Sequence, residues 1–271
     1  MRVDRLPFEE LPEATRRAIA ERLGDGCPRS EVENGTSSAL ASLFWPSSGA
    51  DMVFVKGLPL DHERIGELRA EAAVNPFLPP SAPKVLWQEE AGGWLLLCFE
   101  GADASAWAHF GDGSGHLEPV AAALGELGLL PAPPRLRLTP WERWGEYCDP
   151  ADEPLLTGDR LTHSDPAASN FMIERGGRVR MIDWAWAMRG PAWLDTALWG
   201  VRLVLDGGQT PEQAAAWART VPVFARASRE AVVVLTEAEA RWWEAWQAYG
   251  MTDLERTVGA ARAWAGYWAS P

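Results

Sequence analysis

Two short segments in the second half of the chain combine residue types that suit phosphoryl transfer. The first contains the spacing H-x-D-x-x-x-x-N, with Asp165 and Asn170 as its acid and amide, and the second is an apolar strand pattern that ends in Ile-Asp-Trp at Asp183. Moving a phosphoryl group from a nucleotide to a hydroxyl requires positioning and charge neutralisation more than covalent chemistry. One carboxylate must face the attacking hydroxyl, and a second carboxylate with an amide oxygen must hold the magnesium that bridges the phosphates. Asp165, Asp183 and Asn170 can fill these roles in that order.

A lysine far upstream lies in a pattern typical of a β-strand. Lys56 follows an apolar run rich in β-branched and aromatic residues. A charged residue that closes such a run is also typical of a strand end in water, and this alternative stays open on local evidence. In the helix predicted next, an apolar stripe runs through Ile65, Leu68 and Ala72. Glu71 lies nearer to this stripe than the other acids do, so it is the carboxylate best placed to point inward.

The first hundred residues follow a pattern dominated by strands. A helix is predicted over 12–23, with Gly24 as its stop. The predicted strands are 29–32, 39–45, 51–57 and 94–99. Turn-rich stretches separate the first three of them, which indicates an antiparallel meander. Residues 101–105 are small and polar and indicate a linker.

Beyond the linker the pattern is mainly helical. Capping-box signatures, in which Thr is followed three residues later by Gln or Glu, begin at Thr210, Thr236 and Thr252. Each predicts the start of a helix. A strand-dominated first part and a helical second part favour an α+β fold in two lobes.

The acidic composition narrows the range of partners. The chain has 271 residues, 38 acidic against 25 basic side chains, a formal charge of −13 and a sequence pI near 4.8. Because this charge repels phosphate backbones and anionic lipid surfaces, we expect neither nucleic acid nor a membrane as a partner, whereas a cationic small molecule is attracted. The sequence contains neither a signal-peptide pattern nor the run of about 18 apolar residues that a membrane helix needs.

The cysteines favour a reducing compartment. Cys27, Cys98 and Cys148 are far apart and form neither a CxxC pair nor the spacing of a disulfide framework. We therefore expect a cytoplasmic protein. A monomer and a homodimer both stay open.

The two segments that suit phosphoryl transfer resemble the aminoglycoside phosphotransferase family, the small-molecule branch of the protein-kinase-like fold. The catalytic loop of that family typically reads H-G-D-x-x-x-x-N and is followed by an apolar strand and I-D-W or I-D-F. Ser164 stands here in place of the glycine, a departure that bears on the backbone of the loop. The resemblance is strongest over residues 161–200, where Gly190, Pro191 and Asp195 also fit, and it is weaker in the N-terminal half.

The resemblance implies a fold and a division of the chain. It implies an α+β, bilobal protein-kinase-like fold, with a small N-terminal antiparallel β-sheet lobe that carries a regulatory-type helix and a larger, mainly helical C-terminal lobe. The nucleotide-binding lobe is expected over 1–98, the hinge and linker over 99–105, and the helical lobe with the catalytic loop and acceptor site over 106–271. In this family His163 would orient the catalytic loop, and Asp195 would anchor backbone rather than contact substrate.

The resemblance also assigns nucleotide-binding roles. Asp165 is implied as the catalytic base, and Asn170 and Asp183 are implied as magnesium ligands. Lys56 matches the strand lysine that holds the α- and β-phosphates, with Glu71 as its partner on the helix. Adenine would meet backbone groups of the hinge, for which the candidates are Cys98, Phe99 and Glu100.

The loop over the phosphates is less clearly marked. Neither G-x-G-x-x-G nor G-x-x-x-x-G-K-[ST] occurs, so the sequence has neither a protein-kinase glycine loop nor a P-loop. The stretch 34–38 can cover phosphates with backbone N–H groups and with the hydroxyls of Ser37 and Ser38. It is equally compatible with an ordinary hairpin turn.

Tryptophan is unusually frequent, with 16 in the chain. Core packing explains many of them, Trp199 among them. An aromatic wall beside carboxylates would suit a cationic or ring-shaped acceptor. The candidate acceptor residues are Trp184, Trp186, Glu239, Trp242, Trp243, Glu244 and Trp246.

The sequence therefore predicts a phosphotransferase that uses ATP and Mg²⁺ to phosphorylate a hydroxyl of a small molecule. An aminoglycoside-like or other antibiotic is the first expectation for the acceptor, and antibiotic resistance, biosynthesis and primary metabolism stay open as the role. A kinase of a primary metabolite, such as an amino alcohol or homoserine, is the second candidate. A pseudokinase that binds nucleotide without turnover is the third, because of Ser164 and the weakly marked nucleotide loop.

Overall fold

The apolar runs near the N-terminus pair as an antiparallel sheet in one of two structural units. A computed structural model of the chain describes residues 3–32, 37–102 and 104–270. One unit contains the residues up to 104 together with 180–185, and the other contains 105–179 and the residues from 186 onward. Each unit is described by itself below, and the division between them falls within the strand Val179–Met181.

The first unit contains two described helices among the strands of its sheet. In chain order its elements are α1 (Glu13–Leu23), β1 (Arg29–Glu31), β2 (Leu40–Phe44), β3 (Val53–Pro59), α2 (Ile65–Val74), β4 (Val85–Ala91) and β5 (Trp94–Glu100). The predicted first helix and its end at Gly24 are confirmed, because Gly24 lies at φ 99° and closes α1 with an N–H bond to Ala20. The predicted meander is also confirmed, since β1, β2 and β3 pair antiparallel in sequence order.

The sheet of the first unit places β3 at its centre. Within the described residues the strand order is β1-β2-β3-β5-β4, and every pairing is antiparallel. The register sets Lys56 opposite Ala41 on β2 and opposite Leu97 on β5. Both β3 and β5 are nearly continuous runs of buried residues, as expected for strands covered on both faces. A side chain on β3 is therefore held firmly and shielded from water.

The second unit is mainly helical. In chain order the remaining elements are β6 (Ala104–Trp107), α3 (Leu117–Leu127), α4 (Pro140–Trp144), α5 (Glu153–Leu156), β7 (Arg160–Thr162), β8 (Phe171–Glu174), β9 (Val179–Met181), β10 (Met188–Gly190), α6 (Leu194–Leu205), α7 (Pro211–Thr220), α8 (Arg229–Ala248) and α9 (Glu255–Ala269). A short antiparallel pair of β7 and β10 brackets the residues that carry the catalytic-loop spacing. β8 lies between β6 and β9 in a second small sheet.

Tryptophans fill the interior of the helical unit. Trp199 on α6 and Trp264 on α9 are fully buried, so the prediction that Trp199 is core is confirmed. The indole of Trp264 donates to the Ala197 carbonyl and lies so close to Gly200 that a Cβ there would approach its ring to 2.2 Å. Gly200 therefore lets α6 and α9 approach each other, and the aromatic ring fills the space a side chain would take.

The capping box predicted at Thr210 is confirmed. The Thr210 hydroxyl accepts from the Gln213 N–H, and the Thr210 N–H donates to the Gln213 side chain at the start of α7. The prediction at Thr236 is wrong, because Thr236 lies inside α8 and its hydroxyl donates to the Val232 carbonyl one turn earlier. The cap of α8 is instead Ser228, whose hydroxyl accepts from the N–H of the third helical residue.

The capping box predicted at Thr252 is also wrong. α9 begins at Glu255, and its N-cap position is Leu254, for which no side-chain cap exists among the described residues. A capping box that the sequence analysis missed joins Thr139 and Glu142 at the start of α4. Among the described helices, none is both long enough and apolar enough to cross a membrane.

Thr210 and Thr252 provide a matched test of capping. We expect Thr210→Ala to lower the free energy of unfolding by about 1 kcal/mol, because a helix N–H loses its partner. Thr252→Ala should change it by less than about 0.5 kcal/mol, because Thr252 is exposed and does not cap α9. Urea unfolding of both variants, compared at equal m-values, measures the difference. Equal losses in the two variants would contradict the assignment of the caps.

Candidate active site

Lys56 lies in the interior of the first unit, within β3. Its side chain forms an ion pair with Glu71 on α2, and its Nζ lies 3.5 Å from Oδ1 of Asp183. Lys56 is only 6% exposed, and Glu71 is buried as well. The predicted pair of strand lysine and helix glutamate is therefore confirmed. The alternative of a strand end in water is wrong, because β3 continues to Pro59.

Burying this ammonium group is costly, and its surroundings compensate for the cost. Burial alone would lower the pKa of Lys56, but the carboxylates of Glu71 and Asp183 outweigh it and raise the pKa, so the group stays charged. The ring of Phe99 adds a cation–π contact, with Nζ 5.5 Å from the ring centroid. The Glu71 carboxylate also accepts from the backbone N–H of Trp184. The result is a fixed positive charge that can contact the phosphates of a nucleotide.

Asp183 belongs to the first unit because the segment around it is bonded there. The Met181 N–H donates to the Ser81 carbonyl at 3.1 Å, and the indole of Trp184 donates to the Met181 carbonyl at 3.0 Å. Asp183 itself has a left-handed backbone with φ of 62°, which turns the chain sharply after β9. Its side chain remains 35% exposed, so one oxygen contacts Lys56 while the carboxylate stays open to a cation.

In the second unit, Asp195 fixes the start of the loop that carries the H-x-D-x-x-x-x-N spacing. Both of its carboxylate oxygens accept backbone N–H groups, from His163 at 2.9 Å and from Ser164 at 2.6 Å. Asp195 is buried and lies in the first turn of α6. The expectation that Asp195 anchors backbone is confirmed. The His163 ring in turn accepts from the Asp165 N–H through Nδ1, in keeping with an orienting role.

Ser164 has a backbone conformation that favours glycine. Its φ is 66°, a left-handed conformation that costs a side-chain-bearing residue roughly 1–2 kcal/mol and glycine almost nothing. The Ser164 hydroxyl donates to the Trp186 carbonyl at 2.6 Å, and Arg143 donates to both oxygens of Ser164. These bonds hold the loop in the conformation that glycine would adopt without help. The left-handed turn is therefore kept although Ser164 carries a side chain.

Asp165 is held from both sides by polar partners. Arg202 on α6 donates from Nη2 to Oδ1 at 2.7 Å, and Asn170 donates from Nδ2 to Oδ2 at 3.1 Å and to the Asp165 carbonyl at 2.9 Å. Burial alone would raise the pKa of Asp165, but Arg202, followed by His163 and Arg143, outweighs it and lowers the pKa. The carboxylate is thus ionised at neutral pH and fixed in orientation, as a group that accepts a hydroxyl proton must be.

Asn170 in the second unit and Asp183 in the first each keep an oxygen atom of the kind that magnesium binds. Asn170 uses its amide nitrogen on Asp165, which leaves the amide oxygen as its remaining polar atom. Asp183 offers a partly exposed carboxylate. Amide and carboxylate oxygens are the ligands that magnesium takes from proteins, usually only one or two of them, together with substrate phosphates. That both residues bind one ion stays a prediction.

Part of the predicted aromatic wall forms around an arginine. The guanidinium of Arg143 lies over the rings of Trp144, Trp186 and Trp242, with its central carbon 4.5, 5.6 and 4.6 Å from their centroids. The rings of Trp243 and Trp246 pack against Trp242, with centroid distances of 4.7 and 5.9 Å. We call Trp144, Trp186 and Trp242 the aromatic cage. It places two of the predicted acceptor residues beside the catalytic loop.

Three more of the predicted acceptor residues are already engaged. Glu239 is buried on α8, and its two oxygens accept from the indoles of Trp144 and Trp243. Glu244 pairs with both Nε and Nη2 of Arg262. Trp184 is buried in the first unit. Glu239 and Glu244 therefore do not present open carboxylates to a cation in the second unit.

The predicted nucleotide loop and hinge are described only in part. Residues 34–36 lie outside the described residues, while Ser37 is half-buried and Ser38 is buried. Cys98 and Phe99 lie within β5, which pairs with β3 on one side and β4 on the other, and the Glu100 N–H donates to the Lys84 carbonyl. Burial raises the pKa of the Cys98 thiol to about 12. Contacts of these residues with a nucleotide stay a prediction.

The sequence analysis missed Arg143 and Arg202. Both lie beside Asp165 and Ser164, yet they come from α4 and α6, elements distant in sequence from the loop. A signal existed for Arg202, which interrupts the otherwise apolar run of α6. A weaker one existed for Arg143, which lies between tryptophans at 141 and 144. Neither signal names the partner, because contacts between distant segments are set by packing.

The fold is similar to that of solved small-molecule kinases. Choline kinase LicA from Streptococcus pneumoniae aligns over 95% of this chain and 99% of its own, with 15% identity and a TM-score of 0.62. Aminoglycoside phosphotransferase APH(4)-Ia aligns over 95% and 99% of the two chains, with 15% identity and a TM-score of 0.59. LicA has been solved with AMP, and a thermostable mutant of APH(4)-Ia with ADP and hygromycin B. No family model and no curated protein matches the sequence.

At this identity the likeness defines the fold. The predicted α+β, protein-kinase-like class, with a small unit built on an antiparallel sheet and a larger helical unit, is confirmed. A fold can host several functions, so the roles of individual residues depend on their own geometry.

Arg202 controls the ionisation of Asp165, which gives a test by titration. We expect Arg202→Met to raise the pKa of Asp165, because the nearest positive charge is lost while burial, which favours the neutral acid, remains. In the parent chain the lowered pKa stabilises the fold at neutral pH, and this contribution is lost as the pH falls through that pKa. Carbon-13 NMR titration of the aspartate carboxyls, assigned with Asp165→Asn, measures the shift. An Asp165 pKa that is the same in both proteins would contradict this electrostatic role.

Proposed function

We propose that the protein is a phosphotransferase that moves the γ-phosphoryl group of ATP, with magnesium, to a hydroxyl of a small molecule. The observation that carries the proposal is the buried Lys56, held between Glu71 and Asp183 in the central strand of its sheet. A folded protein has little structural reason to keep an ammonium group there, because burying a charge costs several kcal/mol even when it is paired. A nucleotide phosphate is a ligand that would use it.

Lys56 has the properties required for binding phosphates. It is charged, fixed by two carboxylates and backed by Phe99, so it needs little reorganisation when an anion arrives. Glu71 would set its position, and Asp183 with Asn170 would hold magnesium. The bound metal would supply neutralisation of the charge on the phosphates.

Asp165 has the properties required for receiving a proton. Arg202 and Asn170 fix its two oxygens, and its lowered pKa keeps it ionised at neutral pH. It would accept the proton of the acceptor hydroxyl and orient that oxygen for in-line attack. Its low basicity suits a reaction in which positioning contributes more than proton abstraction.

The pseudokinase hypothesis loses one of its two supports. It rested partly on Ser164, and the loop keeps the left-handed turn and the bonds to Asp195 despite this residue.

The acceptor can belong to more than one chemical class. One similar structure is a choline kinase, and another was solved with hygromycin B, so an amino alcohol and an aminoglycoside are both candidates for this chain. Screening ATP consumption against a panel of hydroxylated antibiotics and metabolites tests the proposed reaction. Consumption that no member of the panel stimulates would count against it.

Magnesium dependence tests the metal ligands. We expect Asp183→Ala to bind ATP with an affinity that no longer rises when magnesium is added, because a carboxylate that would hold the ion is missing. The parent protein should bind ATP more tightly with magnesium than with a chelator. Isothermal titration calorimetry of both proteins measures this. Equally tight binding by both, independent of the metal, would contradict the assignment.

Replacing the proposed base separates an enzyme from a binding protein. Asp165→Asn keeps the shape but removes the proton acceptor, so turnover of the acceptor should fall by at least about a hundredfold. Affinity for magnesium-ATP should stay nearly unchanged, because Asp165 is not a proposed metal ligand. Steady-state kinetics with the acceptor from the screen, together with calorimetry, measure the two quantities. A variant with full turnover would rule out Asp165 as the base.

A further inference from the structure

We propose that the acceptor bound beside Asp165 carries an oxyanion, a carboxylate or a phosphate, which Arg143 and Arg202 recognise. This inference rests on the proposed function for the reacting hydroxyl, and it names the chemical class of the molecule that brings it. It differs from the cationic acceptor that the sequence predicts.

The first observation is that the aromatic cage already holds a cation. Three tryptophan faces around one point are the surroundings that attract an alkylammonium group. Here the guanidinium of Arg143 lies over all three rings and also donates from Nη1 to the carbonyl and hydroxyl of Ser164. A cationic acceptor would have to displace a charged, hydrogen-bonded side chain and would then meet it as a like charge.

The second observation is that the carboxylates beside the loop already accept hydrogen bonds, most fully where they are buried. Asp195 accepts two backbone N–H groups, Glu239 accepts two indoles, and Asp165 is bonded to Arg202 and Asn170. Asp206, which follows the last residue of α6, accepts from the Ala168 N–H. An acceptor with ammonium groups would therefore meet carboxylates that are already hydrogen-bonded within the protein.

The third observation is that hydrogen-bond donors remain. The Nε of Arg143 is buried and has no partner among the described residues. Arg202 donates from Nη2 to Asp165, and within the described residues this is the contact its guanidinium makes with a side chain. An arginine carries five N–H donors in a planar fork that matches the oxygens of a carboxylate or phosphate. Within the described part of the chain, the arginines thus keep N–H groups without a partner, while the neighbouring carboxylates already accept hydrogen bonds. A ligand that supplies oxygen atoms fits this arrangement better than one that supplies N–H groups.

Electrostatics bear on this choice at short and at long range. Burial lowers the pKa of Arg143, and the nearby carboxylates of Glu239 and Asp165 act in the opposite direction. An anion on the unpartnered Nε would add to that stabilisation of the charged guanidinium. The net charge of −13 acts at long range and is screened by salt, whereas these buried groups are screened much less.

Matched small alcohols test the class of acceptor directly. Glycerate, glycerol 3-phosphate and 3-amino-1,2-propanediol share a three-carbon skeleton and differ in the end group. We expect ligand-detected NMR titrations to give dissociation constants at least about tenfold lower for one or both anions than for the amine, one decade being about 1.4 kcal/mol. Glycerate and glycerol 3-phosphate distinguish a carboxylate from a phosphate.

Substitution of each arginine tests whether the anions bind at Arg143 and Arg202. Arg143→Ala and Arg202→Met should each weaken binding of the preferred anion about tenfold or more, which also excludes binding at Lys56. Arg219→Ala is the control, because Arg219 stacks on Tyr267 and Trp268 at 5.7 and 5.2 Å but belongs to no proposed site. Arg143→Ala should in addition gain affinity for tetramethylammonium, because the aromatic cage is emptied. This gain reports that the cage is emptied, and the loss of anion binding reports the proposed role of the guanidinium.

Several outcomes would overturn the inference. These are no detectable binding of either anion, tighter binding of the amine, or anion affinity that Arg143→Ala and Arg202→Met leave unchanged. If Arg143→Ala does not fold, the result for Arg202→Met decides. ATP turnover is measured on the same preparations: a protein that binds the anions but transfers no phosphoryl group refutes the proposed function alone, and one that phosphorylates only cationic alcohols refutes the inference alone.

Discussion

The charge of Lys56 in the middle of a buried sheet is the constraint on which the first unit depends. An unpaired ammonium group could not remain there, so the fold must bring carboxylates to it. Glu71 comes from α2, shortly after β3, whereas Asp183 comes from a segment more than a hundred residues later. That segment is therefore part of the first unit, where Met181 bonds to Ser81. The same pairing leaves a fixed positive charge of the kind that phosphates require.

In the second unit the corresponding constraint is the sharp backbone turn before Asp165. Asp195 holds the N–H groups of His163 and Ser164, and this supports a left-handed serine that would otherwise be strained. With the turn fixed, Asp165 meets Arg202 from α6. The same turn therefore positions the proposed base and the guanidinium groups that surround it. Loop geometry and acceptor selection are expected to change together when the turn is disturbed.

Sequence patterns predicted the elements whose signals are local, and they failed where distant packing decides. The strand of Lys56 and the inward face of Glu71 follow from residue type and periodicity, so both could be predicted. Thr236 has the local signature of a helix start, but the buried face of α8 continues through it and prevails over the capping pattern. The contacts of Arg143 and Arg202 join segments 21 and 37 residues from their partners, and no local pattern encodes them. Our proposal of an anionic acceptor rests on these contacts.

The sequence offers a direct measurement of whether Lys56 contacts nucleotide phosphates, because Lys84 is its only other lysine. An acyl phosphate derivative of ATP transfers its acyl group to an amine that lies beside the phosphates, and peptide mass spectrometry then locates the label. Lys84 is a control within the same unit, since its Nζ donates to the Leu78 carbonyl. The proposed site predicts labelling of Lys56 that excess ATP suppresses, with Lys84 left unlabelled. Labelling of Lys84 alone, or labelling of Lys56 that ATP does not suppress, would contradict it.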